Sequence, residues 1–214
     1  MYKKYSSSHV SNFNQSITQS EKSCDFCSGN LAFDPLGSFE NEQVIVAASA
    51  IKQQDFDVLF ILKKHNPLSL DLSDYVALFK AANKWFDIAI QNSDHGHSHP
   101  MLIWDSLPPA GASQIHAHAH GFLGRGHKLG HFRGYEEGRK AYASMYQGSD
   151  LTQDYINVHI VLGLGVRVGP HVVIAPMDAI KEHELVIFGP EVDESFAELV
   201  YVIHLTYIEL SVFR

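Results

Sequence analysis

The chain has 214 residues, 45% hydrophobic and 19% charged, enough for one large domain or one and a half small ones with a sizeable core. Sixteen basic residues against twenty-four acidic ones give a net charge of -8 and a pI near 5.9, so no overall positive field favours general nucleic-acid binding. No run of about 18 apolar residues is present and no apolar segment follows the basic start, which predicts neither a membrane span nor a secretory signal and makes a soluble cytoplasmic protein the default.

Residues 1–23, rich in Ser, Asn, Gln and Lys, read as a mobile leader that cannot offset its ordering entropy. Val44–Ala48 and Phe56–Leu62 are short β-rich runs separated by a polar stretch, which predicts an antiparallel hairpin. Ser73 is the expected N-cap of a helix over Asp74–Ile90, whose stripe is Val76, Phe79, Asn83, Phe86 and Ile90. A polar loop SDHGHSH follows, then a strand near Met101–Trp104, the turn SLPPAGAS and a second strand over Gln114–Leu123. The Gly-, Arg- and His-rich segment 124–134 is a connection, and EEGRKAYASMY a short, partly exposed helix. Strand signals return at Tyr155–Leu162 and His171–Ala175, ahead of a helix over Asp193–Leu210.

VIVAASAIKQQDFDVLFILKKH and VVIAPMDAIKEHELVIFGPE, each followed by an amphipathic helix, imply a decayed internal duplication of period about 128 residues whose second copy stops after its helix. The expected organisation is a leader (1–23), a first unit (24–125), a connection (126–154) and a partial second repeat (155–214). The helix face and sheet edge of an incomplete copy need a cover, from the first unit or a partner chain, which predicts a homodimer or a truncated product.

Fourteen histidines nearly match Lys and Arg in number, and they cluster. In Gly111-Ala112-Ser113-Gln114-Ile115-His116-Ala117-His118-Ala119-His120, strand alternation would put His116, His118 and His120 on one face about 6 to 7 Å apart, with alanines on the other. The small-residue turn brings backbone N–H groups and the Ser113 hydroxyl near an anion. A neutral imidazole beside a phosphate can attack phosphorus and split one displacement into two, and His118, central and flanked, is the candidate nucleophile. The competing reading is a His-rich strand that only binds metal or fills a polar core.

Cys24 and Cys27, three positions apart, are too few for a disulfide framework and suit metal chelation, with a redox pair as the alternative. One tetrahedral Zn²⁺ needs two further ligands, which must be distant histidines. A Cys2His2 site that takes His65 and His116 would tie the N-terminus, the hairpin and the triad strand together. The HGHSH stretch at 95–99 reads as a solvated loop, and the other histidines and the basic residues Arg125, Lys128 and Arg133 as ordinary surface or core positions. GLGVRVG at 163–169 fits neither a dinucleotide nor a Walker loop.

With these motifs in order, the sequence resembles the histidine-triad superfamily, and within it the branch of galactose-1-phosphate uridylyltransferase and related nucleotide-sugar and dinucleotide phosphorylases. The CxFCxGN-like start at 24–30, the His after the hairpin strand, the GxS turn and the HxH strand carry the likeness over about residues 20–125, and more weakly over 155–211. The resemblance implies an α+β fold: an antiparallel sheet with a packed helix, followed by an incomplete second repeat. It implies structural zinc on Cys24, Cys27, His65 and His116, a covalent nucleotidyl-His118, and substrate contacts from Asp105, Gly111, Ala112, Ser113 and His120. The implied substrates are a nucleotide sugar or dinucleotide, with a sugar phosphate, phosphate or water as acceptor. The chain departs from that branch at His120, where the transferases carry Gln, and at Asp105 and Leu107, where they carry Asn and Gly; the residues that hold base and ribose are not legible. His120 keeps a triad hydrolase as the alternative, and Asp105 and Leu107 a zinc-stabilised binding module without activity.

Overall fold

The computed structural model describes residues 7–29, 31–50, 52–93 and 96–212. In chain order the elements are α1 (Ser7–Glu21), α2 (Asp25–Ser28), β1 (Phe39–Glu40), β2 (Val44–Ala48), β3 (Asp57–Leu62), α3 (Leu72–Asn92), β4 (His97–Ile103), β5 (His118–Arg125), α4 (His131–Met145), α5 (Leu151–Val161), β6 (Gly165–Val168), β7 (His171–Ile174), β8 (Val186–Phe188) and α6 (Glu194–Val212). The fold is α+β and comprises two compact units, residues 1–126 with 193–214, and residues 127–192.

The first unit is built on an antiparallel sheet of order β1-β2-β3-β5-β4. The expected hairpin is present, with Val44 opposite Leu62 and Ala48 opposite Val58. β3 is central and buried at all six positions, so it carries apolar side chains on both faces. Val58, Phe60 and Leu62 join Val44, Val46, Ala119 and Leu123 beneath α3, while Leu59 and Ile61 face the other way, with Ala47, against Phe26 and Leu31. Small residues of β5 lie on the α3 side: a Cβ at Gly121 would stand 2.6 Å from Phe60 Cε2 and 2.8 Å from Val58 Cγ1. The larger His118, His120 and Phe122 therefore project to the opposite face, which bears the cleft described below.

Helix α3 starts earlier than the sequence predicts, because Asp71 rather than Ser73 is its N-cap. The Asp71 side chain accepts the Ser73 and Asp74 N–H groups while Asp74 returns the bond to Asp71, and Lys64 reaches both carboxylates at 2.5 and 2.6 Å. Its core face is Tyr75, Leu78, Ala82, Trp85 and Ala89, about one position round from the expected stripe; Phe86 is buried as well, while Asn83 and Ile90 are exposed. Phe79 instead meets Phe196 of α6 at 5.3 Å between ring centroids, and Lys80 pairs with Glu194 at 3.2 Å. The apolar face of α6 thus has a cover in α3.

The polar segment expected to stay mobile forms α1 over Ser7–Glu21, anchored where Ile17 is buried and the Ser20 hydroxyl meets His65. The expected HGHSH loop is already strand from His97, which is buried and 3.3 Å from Asp55; His95 lies outside the described residues.

In the second unit, β6, β7 and β8 form an antiparallel sheet with Val172 opposite Phe188. The strand expected over Tyr155–Leu162 is helix α5 instead. Its β-branched residues favour a strand, but Asp150 caps the segment by accepting the Thr152 N–H at 2.8 Å, and helical spacing lets Ile156 and Ile160 pack with Val172 and Ile174. GLGVRVG forms β6 and its flanking turns. Three antiparallel strands followed by a long helix thus occur twice along the chain, as β1-β2-β3-α3 and β6-β7-β8-α6. No helix among the described residues is long and apolar enough to cross a membrane.

Candidate functional site

Two adjoining features of the first unit gather the sequence-derived candidates: a Cys/His cluster and a cleft on the open face of the sheet.

Cys24 is the N-cap of α2 and Cys27 lies within its single turn, so both thiols project from one short element. His65 follows β3, and the chain before β5 is tied to it: Ala117 N–H donates to His65 O at 3.1 Å, and Leu62 N–H to Ala117 O at 3.0 Å. These backbone bonds bring His116 beside His65. The four ligand atoms lie within 4.8 Å of one another, a cluster that could hold a metal ion. Cys24 Sγ is 3.4 Å and Cys27 Sγ 3.3 Å from His116 Nδ1; Cys27 Sγ is 3.3 Å from His65 Nδ1, and the two Nδ1 atoms are 3.2 Å apart. Both imidazoles turn the same nitrogen inward because the other is engaged. His116 Nε2–H donates to Leu62 O at 2.5 Å, and His65 Nε2–H donates to Ser20 Oγ at 2.9 Å. Burial, then the adjacent Cys24, pushes the Cys27 thiol up to about 11, and burial pushes the His116 imidazole below its ordinary range.

His116 precedes β5 and turns to the cluster, so the three triad imidazoles do not share one wall as alternation predicts. His118 and His120 do, with rings 5.4 Å apart. They border a cleft of about 670 Å³ that is also lined by Asp105, Gly111, Ala112 and Ser113. The structure thus places every predicted substrate-contact position around one opening. His118 Nδ1–H donates to His116 O at 2.7 Å, which leaves the Nε2 lone pair as its reactive edge. Burial pushes the His118 imidazole below its ordinary range, against the opposing effect of that hydrogen bond.

The turn before the triad is tighter than its composition implies. Gly111, at φ 109, donates its N–H to Pro108 O at 3.0 Å, and Ala112 N–H points to Leu107 O at 3.4 Å. These amides are therefore engaged within the turn, and Ser113 carries its hydroxyl on the cleft. Leu107 sits at φ 68 and ψ 156, a conformation that glycine adopts without cost and other residues do not. Leucine thus stands in a backbone position shaped for glycine. Of the basic residues, Arg133 pairs with Glu137 at 3.0 Å and Lys128 with Glu136 at 3.5 Å, and Arg125 lies over Gly96.

Three residues given no role from sequence also belong to the site. Phe26, between the two cysteines, sets its ring 5.6 Å from His116 and 5.2 Å from His118, bridging cluster and cleft. Ser20 supports His65. Asp57, the first residue of β3, is buried on the His120 side of the sheet. Alternation along DVLFIL placed Asp57 with Leu59 and Ile61, a signal available in the sequence.

No family model matches the sequence, and no curated protein matches it. Among solved structures, the chain is similar to a GalT-like protein from Arabidopsis thaliana, with TM-score 0.61 and 16% identity over 88% of this chain and 70% of that one. It is similar to an ADP-glucose phosphorylase from Arabidopsis thaliana with bound ADP-glucose, with TM-score 0.59 and 16% identity over 86% and 67%. A uridylyltransferase gives TM-score 0.62 and 12% identity over 82% and 64%. The likeness is one of fold, and the chain spans about two thirds of the length of these structures.

Proposed function

We propose that this chain is a zinc-containing nucleotidyltransferase or phosphorylase. It moves a nucleoside monophosphate from a nucleotide sugar or dinucleotide, through covalent nucleotidyl-His118, to a sugar phosphate or phosphate. The observation that carries the reading is His118 itself: a neutral imidazole on a cleft wall, with one nitrogen held by a backbone carbonyl and the other left with its lone pair. In-line attack of Nε2 on phosphorus forms a P–N bond and releases the leaving phosphate, so the nucleophile needs no base to deprotonate it. Ser113, Gly111, Ala112, Asp105 and His120 line the same cleft, and in this reading the first three would border the transferred phosphate. The fold shared with structures of a phosphorylase and a uridylyltransferase supports the reaction class.

Zinc is the ion that the donor set favours. Bonds of about 2.3 Å to sulfur and about 2.0–2.1 Å to nitrogen in a tetrahedron require S···N edges near 3.5 Å and an N···N edge near 3.3 Å. Three of the cluster's S···N separations are 3.3–3.4 Å and its N···N separation is 3.2 Å, and all four atoms lie within 4.8 Å of one another. Held by Cys24, Cys27, His65 and His116, the ion would supply a structural cross-link that fixes the segment leading into His118.

The test is to incubate the protein with UDP-glucose, ADP-glucose or a diadenosine polyphosphate and weigh it intact. An acid-labile increment of one nucleoside monophosphate on wild type, absent from His118→Gly, is expected, and its mass names the base. No increment on wild type, or one that persists in His118→Gly, overturns the reading. A second reading, hydrolysis of the same intermediate, is favoured by the imidazole of His120 on the cleft beside His118.

A further inference from the structure

His120 on the cleft and Asp57 buried behind it are a pair of groups that transfer between phosphates does not need. Asp57 is fully buried: Gln53 N–H donates to its Oδ2 at 2.7 Å, and Oδ1 has no hydrogen-bond partner. The equally buried and unpartnered Nδ1 of His120 faces that oxygen at 3.8 Å. The His120 side chain is 31% exposed, so with Nδ1 turned inward its Nε2 edge is the part left for the cleft. Phe122 stacks on the imidazole, 4° from coplanar at 5.9 Å, and sets its plane. A carboxylate behind Nδ1 favours the Nδ1–H tautomer, which leaves the Nε2 lone pair facing the cleft.

We infer that Asp57 is the positioning residue of the hydrolytic reading: it holds His120 so that Nε2 takes the proton of a water attacking nucleotidyl-His118; the inference rests on the nucleotidyl-His118 reading above. The reason is the chemistry of the acceptor. A phosphate or sugar phosphate attacks with an oxygen that is already anionic and has no proton to lose, whereas water must lose one as it attacks. In the hydrolytic step the water oxygen bonds to phosphorus, the P–N bond to His118 breaks with its electron pair returning to Nε2, and the water proton passes to His120 Nε2. Nucleoside monophosphate leaves, and His120 returns that proton to the phosphate leaving group of the next turnover or to solvent. Asp57 touches no substrate atom; it is a positioning residue acting through His120.

The test follows the lifetime of the adduct by intact mass after the donor is removed, in water alone and with inorganic phosphate added, for wild type, Asp57→Asn, Asp57→Glu and His120→Gln. Hydrolytic decay is expected to slow at least about tenfold in Asp57→Asn and His120→Gln. Adduct formation and decay by phosphate should lose less, and Asp57→Glu should recover part of the hydrolytic rate. Wild-type product formed in ¹⁸O-water should carry the label. His120→Gln, on the partly exposed side of the pair, keeps the test decisive if Asp57→Asn does not fold. Adduct that forms but hydrolyses at the wild-type rate in both variants overturns the inference alone; no adduct on wild type overturns the nucleotidyl-His118 reading and the inference with it.

Discussion

Replacing Ser20 by alanine isolates the outer support of the Cys/His cluster. The Ser20 hydroxyl donates to Ile17 O at 2.8 Å, so toward His65 Nε2, 2.9 Å away, it accepts. It thereby keeps the proton on Nε2 and the Nδ1 lone pair directed at the cluster. His116 has the same arrangement built from backbone, through Leu62 O, which no side-chain substitution removes. Ser20→Ala thus deletes one of two matched supports and leaves the four donors in place. Loss of such a partner weakens metal binding about 10- to 100-fold, or about 1.4 to 2.7 kcal/mol, and at a fixed excess of zinc the same amount is lost from the stability of the folded chain. Competition against a chromophoric chelator measures the affinity. Ser28→Ala, which removes only an exposed hydroxyl bonded to Asp25 O at 2.7 Å, is the control. A Ser20→Ala affinity within about twofold of both wild type and control would refute the argument that the Ser20 hydroxyl orients His65.

Gly121→Ala should destabilise the first unit by about 1–3 kcal/mol, read as a lower urea midpoint with unchanged slope, because its Cβ would stand 2.6 Å from Phe60 and 2.8 Å from Val58 in the core; an unchanged midpoint would show that the sheet gives way freely there. His204 has its pKa pushed down by burial, so the folded state binds its proton less readily than the unfolded one. That stability is complete above the unfolded pKa of about 6.5 and declines as pH falls below it toward the depressed folded value. Denaturant titrations between pH 7.5 and 5 should show a shallower pH slope for His204→Gln than for wild type, and equal slopes would contradict the assignment.

The chemistry-bearing residues were the most legible part of the chain. CxxC spacing and a His after an apolar strand point to metal ligation, and the structure gathers Cys24, Cys27, His65 and His116 into one cluster that could hold an ion. The hairpin was legible because Val44–Ala48 and the run ending at Leu62 are apolar and β-branched, as a central strand buried on both faces requires. Helix α3 was legible as an element but not in its facing, since Ala77, Ala81, Ala82 and Ala89 give a weak hydrophobic signal while Val76 is only partly buried and Phe79 packs on Phe196 of α6. Helix α1 gives no sequence signal, because its anchors among the described side chains include a lone apolar residue, Ile17, and a hydroxyl that meets a distant imidazole. Helix α5 reads as strand in the sequence since its Tyr, Ile and Val residues carry β propensity, and only the cap and the packing decide otherwise. Leu107 stands where the family that the sequence resembles carries glycine, and its positive φ is a backbone conformation suited to glycine.

His116 contributes twice: its imidazole nitrogen points among the sulfurs while its main-chain oxygen grips the ring of the residue two places on. Architecture and reactivity are thereby joined through the atoms of one amino acid. If the cluster holds the proposed ion, stripping it would remove the restraint on that imidazole, and the peptide behind it would take the gripping oxygen along, freeing His118, the proposed nucleophile, to turn about its side-chain bonds. A purely architectural ion would in this way govern turnover without ever approaching the substrate.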